Sequence, residues 1–195
     1  MERGRTLTST ADQAPSCPET VSRLIGERAG NLFRTRQVWC SGAVLVVINR
    51  VLDGDLTQDQ AIRLAAGLGD GMGGAGCICG GLSGGALALG LFLGNGRLSS
   101  GADQTVLKAT RWLHDQFKQD LGSACCRILL KRGENGSRSQ LRACAERTAK
   151  AAELCATRIL KQRPELIRRV DWDYLNHRDG KGGARLNIIA DQLKK

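Results

Sequence analysis

Gly67-Leu-Gly-Asp-Gly-Met-Gly-Gly-Ala-Gly-Cys-Ile-Cys-Gly-Gly81 is the stretch on which the fold of this chain turns. Each glycine inside a helix forfeits roughly 1 kcal/mol relative to alanine, so a run this dense does not continue a helix. It predicts a loop with several positive-φ positions, ending where helical periodicity returns at about Leu82–Leu93. Cys77 and Cys79 fall where that loop meets the helix. A thiol there meets unpaired N–H groups and the positive end of the helix dipole, both of which favour thiolate. The flanking glycines, Gly76, Gly80, Gly81 and Gly84, let backbone amides come close to sulfur, as in an anion-binding nest. Such a loop suits a redox-active thiolate or an iron–sulfur cluster whose sulfurs accept N–H bonds. A phosphate is the weaker reading, because the run has no Gly-Lys-Ser/Thr ending and no preceding strand.

Outward from this loop the pattern is helical on both sides. Upstream, Pro18-Glu-Thr opens a helix through Val21, Leu24, Ile25 and Leu32. A second, very apolar helix covers about Gln37–Leu52 and stops at the turn signal Asp53-Gly54. Thr57 and Gln60 form a capping-box pattern for a third, Gln58–Gly67. Downstream, amphipathic helices are expected over 102–121 and Ser123–Lys131. After the loop Gly133-Glu-Asn-Gly-Ser137 a long helix runs over about Ser139–Gln162, ending before Pro164. A weak helix, a polar turn at Asn176–Gly183 and a short amphipathic end at Ala184–Leu193 complete the chain. The expected fold is all-α, a single bundle of about six to seven helices around a central glycine-rich loop. Residues 1–16 read as a disordered lead-in, 17–163 as the cysteine-containing domain and 164–195 as a basic extension.

Composition agrees with helices packed through small residues: 25 glycines, many Ala, Leu, Ile and Val, and only seven aromatics. Residues 71–96 carry no charge, yet ten of the 24 residues Gly71–Gly94 are glycine, so a buried helix is expected rather than a membrane span. The net charge of +10 lies entirely in residues 107–195, with 20 Lys+Arg against 10 Asp+Glu. Such an excess could serve nucleic acid, an acidic partner or an anionic surface, but the charges are interspersed as on a solvated face. The eight cysteines are Cys17, Cys40, Cys77, Cys79, Cys125, Cys126, Cys144 and Cys155. The opening Met1-Glu-Arg-Gly-Arg-Thr6 lacks the apolar run of a signal peptide, so a reducing, cytoplasmic setting is expected. Clustered cysteines there more often ligate metal or do redox work than form structural bridges.

Cys40 falls in the second helix, Cys79 at a helix start, Cys125 and Cys126 at the head of the short helix, and Cys144 early in the long one. Four elements could each bring a sulfur to one point, as cofactor sites in bundles are built. Cys17 and Cys155 read as small apolar residues.

The ordered set of cysteines and glycines resembles the C_GCAxxG_C_C family of redox-active proteins, named for its motif. Cys79-Gly80-Gly81-Leu82-Ser83-Gly84 stands where the family has Cys-Gly-Ala-x-x-Gly, and Ala65–Met72 looks like its glycine-rich approach. Cys40 matches the first cysteine. Cys126-Arg-Ile-Leu-Leu130 resembles the third-cysteine segment, and Cys144, followed by Ala151-Ala152, the fourth. The likeness covers about Gln37–Leu160. Gly81 replaces the motif's alanine, and Cys77 and Cys125 are extra cysteines beside family positions. The resemblance implies a helical redox or metal protein with Cys40, Cys79, Cys126 and Cys144 as ligands. Split-Soret cytochromes are similar over this module and carry an iron–sulfur centre there beside their haem, which points to a [2Fe–2S]-type cluster. The chain has no Cys-x-x-Cys-His, so c-type haem attachment is not supported. His114 and His177 read as surface residues, His114 being the better candidate for a mixed ligand set.

Three functions follow. The first is electron transfer or redox sensing through the cluster. The second is a cofactor-free thiol oxidoreductase cycling Cys77/Cys79 or the vicinal Cys125/Cys126. The third is a basic binding protein with a structural metal, although Cys-x-Cys and Cys-Cys fit zinc knuckles poorly. The expected partner is an unidentified redox protein, with an acidic partner at the basic C-terminal region and a homodimer as further options; nucleic acid is not expected. No hydrolase or dehydrogenase constellation is present.

Overall fold

A computed structural model describes residues 17–96, 104–131 and 137–180. It is 77 % helical, and among the described residues there is no strand. The helices are α1 (Pro18–Arg34), α2 (Cys40–Val51), α3 (Gln58–Ala66), α4 (Gly69–Met72) and α5 (Gly80–Leu93). They continue with α6 (Gln104–Leu121), α7 (Cys126–Lys131), α8 (Ser137–Gln162), a 3₁₀ turn at Pro164–Arg169 and α9 (Trp172–Asn176). The all-α expectation holds. The count exceeds six to seven because α4 and α9 are single short turns that periodicity over 11–18 residues does not register. The expected lead-in at 1–16, the loop at 133–136 and the terminal helix at 184–193 lie outside the described residues.

α2 is the centre of the molecule, with Ser41 to Asn49 and Val51 all buried. α5 crosses it through a stripe of small residues. A Cβ added at Gly84 would lie 2.2 Å from the Ser41 carbonyl oxygen, so the two backbones are in contact. α1 and α8 meet the same way: a Cβ at Gly26 would lie 2.7 Å from the Ala149 oxygen, and one at Gly30 3.0 Å from that of Ala145. Small residues at four-residue spacing let helices approach more closely than Leu or Ile would allow. This is why a chain poor in aromatics closes a core. Thr57 and Gln60 form the capping box, Gln60 N donating to Thr57 Oγ1 at 3.2 Å and Thr57 N to Gln60 Oε1 at 2.9 Å.

Beyond Pro164 the chain turns back onto the bundle, and Leu166, Val170 and Leu175 join the same core. The return is fixed by a buried ion pair. Arg28 Nη1 meets Asp179 Oδ2 at 2.8 Å with both side chains no more than 3 % exposed. Asn31 also exchanges two hydrogen bonds with the Asp179 backbone, and the Arg28 guanidinium lies 4.5 Å from the Tyr174 ring centroid. No helix of the described residues is long and apolar enough to cross a membrane.

Candidate metal centre

The glycine run folds as a loop of left-handed backbone, as its composition demands. Asp70, Gly71, Met72 and Gly73 have φ of 52°, 68°, 69° and 62°, so α4 is a turn wound in the left-handed sense. Gly74 and Gly76 are also positive, at 88° and 70°. For Asp70 and Met72 this conformation costs on the order of 1–2 kcal/mol each. Glycine is obligatory at 71, where a Cβ would come within 2.6 Å of the Cys126 Cβ.

The loop then pairs with the segment leading into α7. Cys79 N donates to Ala124 O at 2.8 Å, Cys126 N to Cys77 O at 2.6 Å and Arg127 N to Gly76 O at 3.1 Å, with Ile78 opposite Cys125. This short antiparallel bridge carries Cys79, the N-cap of α5, to the side of Cys126, the first residue of α7. Cys40 opens α2, so the second helix begins three residues later than the sequence pattern suggests. α5 passes so close that a Cβ at Gly80 would lie 2.3 Å from the Cys40 sulfur. Cys144 comes from the second turn of α8.

These four cysteines line one cavity of about 50 Å³ together with Phe33, Asp70, Leu129 and Arg147. That is room for roughly three to five water-sized bodies. The backbone amides of Gly81 and Leu82 favour the Cys79 thiolate, and those of Asp70 and Ser41 the Cys40 thiolate, although no side-chain cap bond forms at Cys79. Arg147 lies on the Cys144 side, its Nη1 3.8 Å from the sulfur and its Nη2 donating to Leu129 O at 2.8 Å.

One expectation fails here. Burial outweighs the helix terminus and the amides. It drives the Cys79 thiol up to about 12 and that of Cys126 up to about 11, with neighbouring cysteines adding to both and Asp70 to the second. Cys40 and Cys144 are raised as well, again chiefly by burial. As free thiols the four are protonated at neutral pH and weak nucleophiles. Among the described residues, no group of three or more His, Cys, Asp and Glu is placed to hold a single metal ion.

The other cysteines stand apart from the cavity. Cys77 and Cys17 are exposed, Cys155 is buried with its thiol on Gly85 O at 3.3 Å, and Cys125 turns its thiol to Gly76 O at 3.3 Å. His114 pairs with Asp115, His177 with Asp179, and neither lines the cavity. Of the glycines singled out by sequence, Gly80 lines it. Gly76 serves the bridge, Gly84 the crossing with α2, and Gly81 the contact with α8, where a Cβ would lie 3.0 Å from that of Ala151. Asp70 and Arg147 escape a sequence reading. Arg147 does lie three residues after Cys144, on the same face of a helix, and Asp70 is the sole charge in the glycine run.

An all-α bundle thus brings four thiols from separate elements to one cavity. The chain belongs to the family described as "Putative redox-active protein (C_GCAxxG_C_C)", whose model matches residues 38–158. No curated protein and no solved structure matches it.

Proposed function

We propose that the chain is an electron-transfer or redox-sensing protein of reducing compartments, holding a [2Fe–2S]-type cluster on Cys40, Cys79, Cys126 and Cys144. The observation that carries this reading is the shared cavity lined by these four thiols from the starts of α2, α5 and α7 and from α8. The donor set fits the group. Thiolates are the ligands of such clusters, and the backbone amides of Gly81, Leu82, Asp70 and Ser41 favour the charged form of two of them. The apolar walls Phe33, Leu129 and Leu130 exclude water, and Arg147 offsets part of the negative charge of four thiolates. Bound there, a cluster supplies one-electron chemistry. The cofactor-free alternative draws less support, since Cys79 and Cys126 are buried and held as thiols.

Single Cys→Ser variants test the ligand set. Replacing Cys40, Cys79, Cys126 or Cys144 is expected to lower iron per chain about fivefold or more in anaerobically purified protein, whereas Cys17→Ser, Cys77→Ser and Cys125→Ser retain it. Loss with Cys77→Ser or Cys125→Ser, and retention with Cys79→Ser or Cys126→Ser, would transfer the site to the neighbours and overturn this assignment.

A further inference from the structure

Six large apolar side chains among the described residues are well exposed: Trp39, Leu64, Met72, Ile78, Leu107 and Ile128. Four of them lie within two positions of a residue lining the cysteine cavity. Trp39 precedes Cys40, Met72 follows Asp70 by two, Ile78 precedes Cys79 and Ile128 follows Cys126 by two. Trp39, 60 % exposed, sits so close over Gly69 that a Cβ there would lie 2.8 Å from the Trp39 Cβ. Ile78 stands opposite Cys125, and Ile128 lies in the first turn of α7 just beyond it. Apolar groups scattered singly need no explanation, but four set this close along the chain to the lining of one cavity do.

The arginines are distributed with the same bias. Nine of those in the described residues pair with a carboxylate. Five of the seven that do not are placed about the cavity. Arg147 lines it, and Arg127 follows Cys126 with its Nη2 on Ala75 O at 2.7 Å. Arg34 and Arg36 follow Phe33 and share a second cavity with Arg138 and Leu141, the latter one turn before Cys144. Among the described residues, Asp70 is the one carboxylate lining either cavity.

A local rule is broken to place this charge: Arg36 takes φ of 60° just past the end of α1, where glycine is usual, and such departures are expected at functional surfaces.

We infer that the mouth of the cysteine cavity is a docking face for an acidic redox protein, apolar at its centre and basic around it. The redox character of the partner rests on the proposed function; its acidity rests on the unpaired arginines. A second copy of the chain would oppose arginine to arginine, which like-charge repulsion disfavours.

Calorimetric titration of the full chain tests this with two small acidic probes, a [2Fe–2S] ferredoxin and a flavodoxin, and with basic cytochrome c as the charge control. At least one acidic probe is expected to bind one to one at about 20 mM salt and to weaken about tenfold or more at about 300 mM. Trp39→Ser, Ile128→Ser, Arg36→Glu and Arg138→Glu should each weaken binding about tenfold with the melting temperature kept; Lys161→Glu, near the far end of α8, should not. Failure of both acidic probes to bind, equal binding of cytochrome c, or indifference to the four variants would overturn the inference. So would a homodimer that Trp39→Ser dissociates. Binding is read without iron, so protein that docks but carries no iron when purified anaerobically would leave the face standing while contradicting the cluster.

Discussion

Gly84→Ala is expected to lower the stability of the fold by about 3 kcal/mol, against the sign that helix propensity alone would give. Inside a helix, Gly→Ala ordinarily gains about 1 kcal/mol. Here the new methyl would lie 2.2 Å from the Ser41 carbonyl oxygen and 2.9 Å from its carbonyl carbon, both backbone atoms of buried α2. No rotamer relieves a clash with backbone, so α2 and α5 must separate. Gly90, on the same helix with nothing within 4 Å of a would-be Cβ, is the internal control. Gly90→Ala should gain about 1 kcal/mol. Thermal unfolding of the two variants checks this; for a chain of this size 3 kcal/mol corresponds to roughly 6–12 °C. Equal behaviour of the two alanines would show that α2 and α5 are not in backbone contact. Ser41 follows Cys40 directly, so Gly84→Ala should also disturb the cysteine cavity.

Asp179→Ala should cost a similar amount, about 3–5 kcal/mol, because it leaves the Arg28 guanidinium buried without its counter-ion. Arg28 is 2 % exposed and keeps only neutral partners, Asn31 Oδ1 and the Tyr174 carbonyl, each at 3.1 Å. The pH dependence carries the signature of the pair. Burial pushes the Asp179 carboxyl up, but the hydrogen bond and charge of Arg28, with smaller help from Gln37 and His177, together offset it and leave its pKa lowered. A carboxylate lowered in the folded state contributes stability above its unfolded value of about 3.9, and that contribution is lost as pH falls through the lower folded value. The gap between wild type and Asp179→Ala should therefore be full at pH 7 and shrink below about pH 4. Denaturant melts at the two pH values check it. A gap under about 1 kcal/mol at pH 7 would mean that the chain beyond Pro164 is not held by this pair.

The local part of this architecture was readable from sequence. The Thr57–Gln60 capping box, the loop imposed by glycines 67–81 and the helix starts at Cys79 and Cys126 depend on near neighbours, and each appears in the structure. What escaped was non-local. Nothing in the spacing of Gly80 and Gly84 says that they face Cys40 and Ser41, because that depends on how α5 crosses α2. The left-handed turn recruits Asp70 and Met72, residue types that do not announce positive φ. Leu166, Val170 and Leu175 lie among so many basic residues that their stretch reads as an extension, although each is buried in the common core. The four cysteines expected to converge do line one cavity, but their electrostatics were misjudged. A helix N-terminus is visible in sequence, whereas the depth of burial that raises Cys79 appears only after packing.

The central claim is that Cys40, Cys79, Cys126 and Cys144 hold an iron–sulfur cluster. Iron and acid-labile sulfide analysis of anaerobically purified full-length protein, with its visible spectrum, tests it most directly. The account predicts coloured protein with about two irons and two sulfides per chain, bleached by a strong reductant. Colourless, metal-free protein with all its thiols titratable would contradict it.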